Sequence, residues 1–300
     1  MFPDRSAALP SIRHTVKEPE KMSNTKMSRN IFLAIVALFL TATVFIGCEK
    51  TEPIDETTWN GIVELPGGVT LQMVKVEAGT FEMSGSADGK TYHSEVPHQV
   101  TLKHDFYIGQ TEVTQAQWNA VMEYNAMTDR DNIGDDMPVF YETWNEAMKF
   151  CEKLNAKGKA PRGWKFTLPT ETQWEFAARG GNKSLGYIYS GSNDPDEVAW
   201  YGAEESFPVF HPVGRKKANE LGLYDMSGNV WEWCLDDWIE DSSKLQTEFS
   251  RGNDRGGDRA KRGGDLDNSA VYCRSANRDQ ADATFKSDIG FRLALVPESN

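Results

Sequence analysis

The residues best suited to chemistry lie in one stretch, 222–233, which reads Gly-Leu-Tyr-Asp-Met-Ser-Gly-Asn-Val-Trp-Glu-Trp. Asp225, Ser227, Asn229 and Glu232 supply side-chain oxygens. The carboxylates of Asp225 and Glu232 stand at i and i+7, with the main-chain carbonyls of Gly228 and Val230 between them. A hard cation such as calcium is held by that mixture of carboxylate and carbonyl oxygen. A solvated turn would use the same residues, and spacing alone does not choose between the two. Trp231 and Trp233 alternate with Val230, Glu232 and Cys234, a period-2 pattern that puts both indoles on one buried face. Other chemistry is poorly served. His93, His98 and His104 flank a strand entry at spacings that fit no zinc motif and read as loop residues. Nothing in the sequence positions a Ser–His–Asp triad.

The elements that must carry this stretch are short. Residues 61–76 alternate apolar positions around Pro66-Gly67-Gly68, a strand–turn–strand signal, and 100–102 and 106–108 continue the strands. Three capping boxes open helices: Thr114 with Gln117, Thr143 with Glu146, and Thr170 with Gln173. The first helix runs through Trp118 and Met122. The second places Ala147, Cys151 and Leu154 on one face, and the third stops at Gly180-Gly181. Residues 183–220 read as loop, with Trp200 and Phe207 as anchors. Short helices between irregular strands predict an α+β fold rather than a parallel α/β one.

Composition sets the outer limits. Three hundred residues at 39% hydrophobic content, with nine Trp and 25 Gly, suit a compact, loop-rich chain pinned by buried rings. The net charge of −13 argues against nucleic acid as a partner, since a phosphate-binding surface needs clustered Lys and Arg.

The N-terminal region reads as an address. Residues 1–21 are polar and without period, and are expected to lie ahead of the true start at Met22. Lys26 and Arg29 then precede an apolar run over 31–46 and Gly47-Cys48, the layout of a signal peptide over 22–47. The apolar run is short for a spanning helix. Phe45-Ile46-Gly47-Cys48 resembles a bacterial lipobox, with Phe45 in place of the usual Leu; that resemblance implies lipidation of Cys48. An uncleaved anchor helix is the alternative. Both tether the chain to a membrane outside the cytoplasm, through a polar tether over 48–60, with the folded domain over 61–300.

The 222–233 stretch also resembles the hallmark of the formylglycine-generating enzyme (sulfatase-modifying factor) family, whose fold is a variant of the C-type lectin fold. Four more segments fit in the family's order. They are Met-Val-Lys-Val-Glu-Ala-Gly-Thr-Phe-Glu-Met at 73–83, Phe-Tyr-Ile-Gly-Gln-Thr-Glu-Val-Thr at 106–114, Phe-Thr-Leu-Pro-Thr-Glu-Thr-Gln-Trp-Glu-Phe-Ala-Ala-Arg-Gly-Gly at 166–181, and Ile-Gly-Phe-Arg-Leu at 289–293. The likeness spans about 71–295. It implies calcium ligation by Asp225, Gly228, Val230 and Glu232, with Asp225 replacing an Asn. The family's second calcium loop looks shortened over 199–213.

Active members of that family oxidise a substrate cysteine with a Cys-x4-Cys pair that binds Cu(I), a soft ion suited to thiolates. The pair's positions fall on Ala270 and near 265–268, and Asp265 replaces the serine that follows Gly263-Gly264. Only Cys273 is close, so copper and the oxidase chemistry are not expected. The iron-binding His-x3-His-x-Glu motif of the family's ergothioneine-pathway relatives does not occur either. Cys151, Cys234 and Cys273 are an odd set, so at least one is free. Cys151 reads as a buried small hydrophobe, its family disulfide partner falling at Leu293, and a Cys234–Cys273 disulfide is expected.

What remains is a binding face. Between the frame residues of 262–292 lie Asp265, Asp267, Asn268, Val271, Tyr272, Asp279, Asp282 and Phe285. Small polar residues with occasional aromatics are the mix that paratopes use. The segment resembles the variable proteins of diversity-generating retroelements, and it equally reads as an ordinary surface loop. The expectation is a membrane-anchored, non-catalytic binder of a protein or glycan ligand. The alternatives are a sulfatase-maturing oxidase and a structural envelope lipoprotein of the gliding or secretion type.

Overall fold

The structure, a computed structural model, describes residues 54–298 except 91, 93, 125–132, 203–208 and 246–256. Cys48, the apolar run over 31–46 and Phe207 lie outside the described residues. Among the described residues no helix is long and apolar enough to cross a membrane.

Strand β1 (Ile62–Glu64) turns through Pro66–Gly68 into β2 (Thr70–Val76), pairing Val63 with Leu71. Gly67 and Gly68 both take φ +76°, a left-handed conformation that glycine adopts without a Cβ clash. Next come β3 (Gly79–Met83) and β4 (His98–Leu102), which pair with each other, then β5 (Phe106–Gly109). Helices α1 (Gln115–Met122), α2 (Trp144–Ala156) and α3 (Glu171–Ala178) each start at a Thr whose hydroxyl accepts from the N3 amide while the N3 side chain returns the bond. Those are the three capping boxes, and each satisfies amides that the first turn leaves unpaired. Strand β6 (Trp164–Thr167) lies between α2 and α3, and a one-turn helix, α4 (Pro195–Val198), interrupts the long loop.

The remaining strands are β7 (Trp231–Asp237), β8 (Asp258–Arg262), β9 (Asp279–Asp282), β10 (Ile289–Gly290) and β11 (Ala294–Pro297). They join the early chain by a non-local route. The larger sheet runs β1-β2-β5-β11-β6, so the last strand sits between two early ones. The second sheet runs β10-β7-β8-β9, with β10 parallel to β7 and the other pairs antiparallel. Short helices beside antiparallel strands make this α+β, as the sequence pattern predicts.

The core is aromatic. Trp118 of α1 stacks on Phe150 of α2 at 5.7 Å, and Phe291 meets both rings edge-on. Ala147, Cys151 and Leu154 are all buried on the inner face of α2. Trp144 and Trp233 solve the problem of a buried indole N–H by donating to the carbonyls of Cys234 and Glu142. Both indoles of β7, Trp231 and Trp233, are buried as the period-2 pattern predicts, and Glu232 and Cys234 are buried as well, so both faces of the strand are covered.

Candidate functional site

Glu232 is fully buried on β7, and three N–H groups converge on it. Arg292 Nε and Nη2 each donate at 2.6 Å, one to each carboxylate oxygen, and Trp174 Nε1 donates at 2.7 Å. The guanidinium is itself held by the carbonyls of Gly109 and Tyr224, both at 3.0 Å. Burial alone would lower the Arg292 pKa, but Glu232 holds it above its ordinary value. Four parts of the chain thus meet at one ion pair.

Asp225 and Glu112 lie beside this pair, and both are buried. Asp225 has φ +54°, accepts from Gly214 N at 2.6 Å through Oδ2, and leaves Oδ1 buried without a partner. Glu112 accepts from Asn229 Nδ2 at 3.1 Å through Oε1 and leaves Oε2 buried without a partner. Burial, and then the charge of Asp225, pushes the Glu112 carboxyl well above the usual range; burial raises Asp225 as well. Gly228 fixes the loop over which these groups sit. Its φ is +80°, and a Cβ there would lie 2.1 Å from the Trp200 carbonyl oxygen, so no other residue fits.

This arrangement tests the calcium set implied by resemblance. Fully ionised, Asp225, Glu112 and Glu232 would set three negative charges against the single positive charge of Arg292, and burial with the charge of Asp225 pushes Glu112 toward its neutral form. In a dry interior that imbalance costs several kcal/mol unless a cation or protons offset it. The remaining oxygens of Asp225 and Glu112 are donors that a divalent ion would use in place of a proton shared between the two carboxyls, so Asp225 fits the role, and Glu112, missed in the sequence, fits it too. Glu232 fits less simply, because both its oxygens already accept N–H bonds. Ser227 is turned elsewhere, accepting from Ser190 N at 3.2 Å. Among the described residues no three His, Cys, Asp or Glu side chains form a ready ligand set, so the carbonyls of Gly228 and Val230 would have to complete it. The sequence signal that could have found Glu112 is its place in the 106–114 segment, which runs on from β5 toward the loop.

The expected Cys234–Cys273 disulfide is not formed. Cys151, Cys234 and Cys273 are all free and buried. Each sulfur sits in its own packing environment. Cys234 lies in the apolar cluster behind β7, whereas Cys273 ends the turn Ala270–Cys273 with Sγ against Gly264. Burial pushes all three thiols far above their ordinary range, which disfavours thiolate chemistry.

The 262–292 segment divides as its residue types suggest. Arg262 pairs with Glu175 and Glu171, Arg278 with Glu171 at 2.6 and 2.9 Å, and Arg274 with Glu95 at 2.6 and 3.0 Å, all buried. These pairs form the frame. Asp267, Tyr272, Asp282 and Phe285 are exposed, while Asn268, Val271 and Asp279 are half-buried. Asp265 departs from the expected face, since it is buried beneath the loop. Burial pushes its carboxyl up to about 6, with Asp288 adding to the effect and Lys261 opposing it. Lys261 ties the segment together. It lies over the Trp231 ring at 3.7 Å and pairs with Asp279 at 2.7 Å. Phe285 closes a turn onto Asp282 at 2.8 Å. Thus Lys261 pairs with Asp279 alone of these acids, whereas Asp282 and Phe285 mark the end of the edge strand β9.

A further charged group lies beside this turn. Lys286 bonds Glu146 at 2.8 Å and approaches the buried Glu142 at 3.5 Å. Burial and the neighbouring Glu146 push Glu142 up to about 8. Burial would raise Glu146 too, but bonds from Lys286 and Thr143 hold it down to about 2. The signs are opposite. Glu142 keeps its proton in the fold and loses it in the unfolded chain, so its contribution falls as pH rises from about 4.5 to about 8. Glu146 contributes above about 4.5, and that contribution is lost as pH falls toward 2. Glu142→Gln is therefore expected to gain on the parent between pH 5 and pH 9, by at least ~1 kcal/mol at pH 9 in denaturant unfolding. A difference independent of pH would refute the assignment.

Comparison with known proteins places this geometry. The family profile described as "Sulfatase-modifying factor enzyme 1-like domain" matches residues 64–296. "Chaperone protein LppX" of Paenibacillus barcinonensis is 37% identical over 213 residues, which cover 55% of this chain and 71% of that protein. The formylglycine-generating enzyme of Mus musculus is 31% identical over 175 residues, 52% of this chain but only 44% of the enzyme. Among solved structures, Treponema denticola variable protein 1 superposes with a TM-score of 0.65 at 31% identity, covering 76% of this chain and 96% of that one.

Proposed function

This chain belongs to the sulfatase-modifying factor enzyme 1-like family, with the formylglycine-generating-enzyme-like variant of the C-type lectin fold, and from that premise we propose that it is a non-catalytic, membrane-anchored binding protein. The observation that carries the proposal is the state of the family's copper position. Ala270 and residues 265–268 provide no thiol, and Cys273, the nearest, is buried with its pKa raised by burial. A two-coordinate thiolate site needs two accessible thiolates. The surface that remains is acidic, aromatic and held on a rigid arginine frame, which suits recognition.

The structural likeness to a protein titled a variable protein supports reading 262–292 as a diversified receptor face. A template repeat with a reverse transcriptase gene beside this one would support that further, and their absence from the genome would sink it. The relative named a chaperone favours a protein ligand over a glycan. Anchoring through Cys48 is part of the proposal. Labelled palmitate is expected to enter the protein and to be lost in Cys48→Ser; labelling that survives the substitution counts against it.

The oxidase alternative rests on the 31% identity to the mouse enzyme. Copper(I) titration of the purified protein, paired with turnover of a Cys-x-Pro-x-Arg peptide under oxygen, separates the two. The expected result is no tight one-to-one copper and no formylglycine. Stoichiometric copper with product would establish the oxidase and recast Cys273 as a ligand.

A further inference from the structure

Asn229 is fully buried, with φ +65°, and every polar group it carries is engaged by a different part of the chain. Oδ1 accepts from His211 N at 3.1 Å, and since that N–H can only donate, the orientation of the amide is fixed. Nδ2 donates to Glu112 Oε1 at 3.1 Å and to the His211 carbonyl at 3.2 Å. The backbone N–H donates to the Trp200 carbonyl at 2.8 Å, and the backbone carbonyl accepts from Leu266 N at 3.1 Å.

These partners border the 262–292 face. Leu266 stands between Asp265 and Asp267, and Gly202 N donates to the Asn268 carbonyl at 2.8 Å. The approach is close: a Cβ on Gly202 would lie 3.0 Å from the Asp267 carbonyl oxygen. The rings of Trp200 and His211 stack at 3.6 Å, and Phe210, Val230 and Leu266 share one apolar cluster. Three segments, 200–202, 209–211 and 265–268, thus meet at one residue whose side chain touches the carboxyl pair.

We propose that a divalent cation at the Glu112–Asp225 carboxyl pair regulates the binding face, with Asn229 as the positioning residue that couples the two. Ligation through Glu112 Oε2 would clamp that side chain, and a ligating carboxylate is ionised. The Asn229 Nδ2 bond then ends on a fixed, charged acceptor, which makes it roughly twice as strong as a neutral one. Holding Asn229 holds the Trp200 carbonyl, both backbone groups of His211 and the Leu266 amide. A face ordered before it meets a ligand binds at a smaller entropic cost. The inference rests on reading 262–292 as a binding face only for its consequence. Its test reads backbone order with no ligand present, so either reading can fail while the other stands.

The test is hydrogen exchange read by mass spectrometry on the full-length protein, in excess calcium chloride or in chelator, with the thermal midpoint measured alongside. Calcium is expected to slow exchange about tenfold in peptides covering 209–214 and 263–268, the scale of one hydrogen bond to a charged group. The peptide covering β1 and β2 is expected to stay unchanged at the same short exchange times. Asn229→Gly removes the amide but keeps a residue at ease with φ +65°. In calcium, that variant is expected to exchange at 209–214 and 263–268 as fast as the parent in chelator. Should it fail to fold, the contrast between peptides in the parent decides alone. A midpoint that rises while 209–214 and 263–268 exchange unchanged would overturn the coupling and leave a purely structural ion. Uniform slowing across the chain, slowing that survives Asn229→Gly, or no response to calcium in either measurement would overturn it as well.

Discussion

Adding calcium to chelator-treated protein is expected to raise its thermal midpoint by roughly 5–10 °C once the ion exceeds its Kd about a hundredfold. The physical basis is the surplus of carboxyl groups around Glu232. Asp225, Glu112 and Glu232 outnumber Arg292, and the free oxygens of Asp225 and Glu112 are buried beside it. A divalent ion there would neutralise the site and bind only the folded chain, so its binding free energy adds to stability. Asp225→Ala is expected to abolish the calcium shift, and Glu112→Gln to reduce it. Since ligands must be ionised, apparent affinity should rise with pH as calcium displaces the proton that burial holds on Glu112. The competing outcome is specific. If protons alone offset the charge, the midpoint will ignore calcium, and stability will fall as pH rises above about 4.5 toward the raised Glu112 value.

Arg292→Met is expected to cost about 3–5 kcal/mol in denaturant unfolding, the range for stranding one member of a buried pair. Glu232 would keep only the Trp174 bond, and the Gly109 and Tyr224 carbonyls would lose their donor. Arg292→Lys should recover little, because an ammonium cannot reproduce the two-pronged contact at 2.6 Å. Pairing Arg292→Met with Glu232→Gln should be less damaging than the sum of the single changes, since the second removes the stranded charge. A loss below ~1 kcal/mol in Arg292→Met would mean that water or an ion replaces the guanidinium and that the pair does not hold the four segments together.

Much of the scaffold was legible because its signals are local. Each Thr at a helix start binds the amide three residues on, and that geometry follows from backbone sterics wherever the helix lies. The Pro66-Gly67-Gly68 turn is likewise dictated by residues with restricted or unusually free φ. Charge pairing was legible only by type. Arg262, Arg274, Arg278 and Arg292 could be read as frame residues, but Glu171, Glu175, Glu95 and Glu232 could not be named as their partners. Those partners are 60 to 179 positions away for Arg292 and Arg274.

The disulfide failed for the same reason. Cysteine count constrains parity, whereas bridging needs two Cβ atoms within about 4.5 Å, a distance set by packing. Asp265 shows the limit for surface residues, because a polar side chain in a loop reads as exposed until the chain above it is placed.

By itself the sequence determined the capped helices, the α+β pattern, the oxygen-rich loop at 222–233 and the lack of any Cys-x4-Cys pair, each a property of neighbouring residues or of residue spacing. The tertiary structure alone decided that Glu112 joins Asp225, that Arg292 occupies Glu232, and that all three thiols stay apart. These outcomes depend on β11 entering between β5 and β6 and on β10 pairing with β7, contacts whose closure costs entropy that only the assembled core offsets.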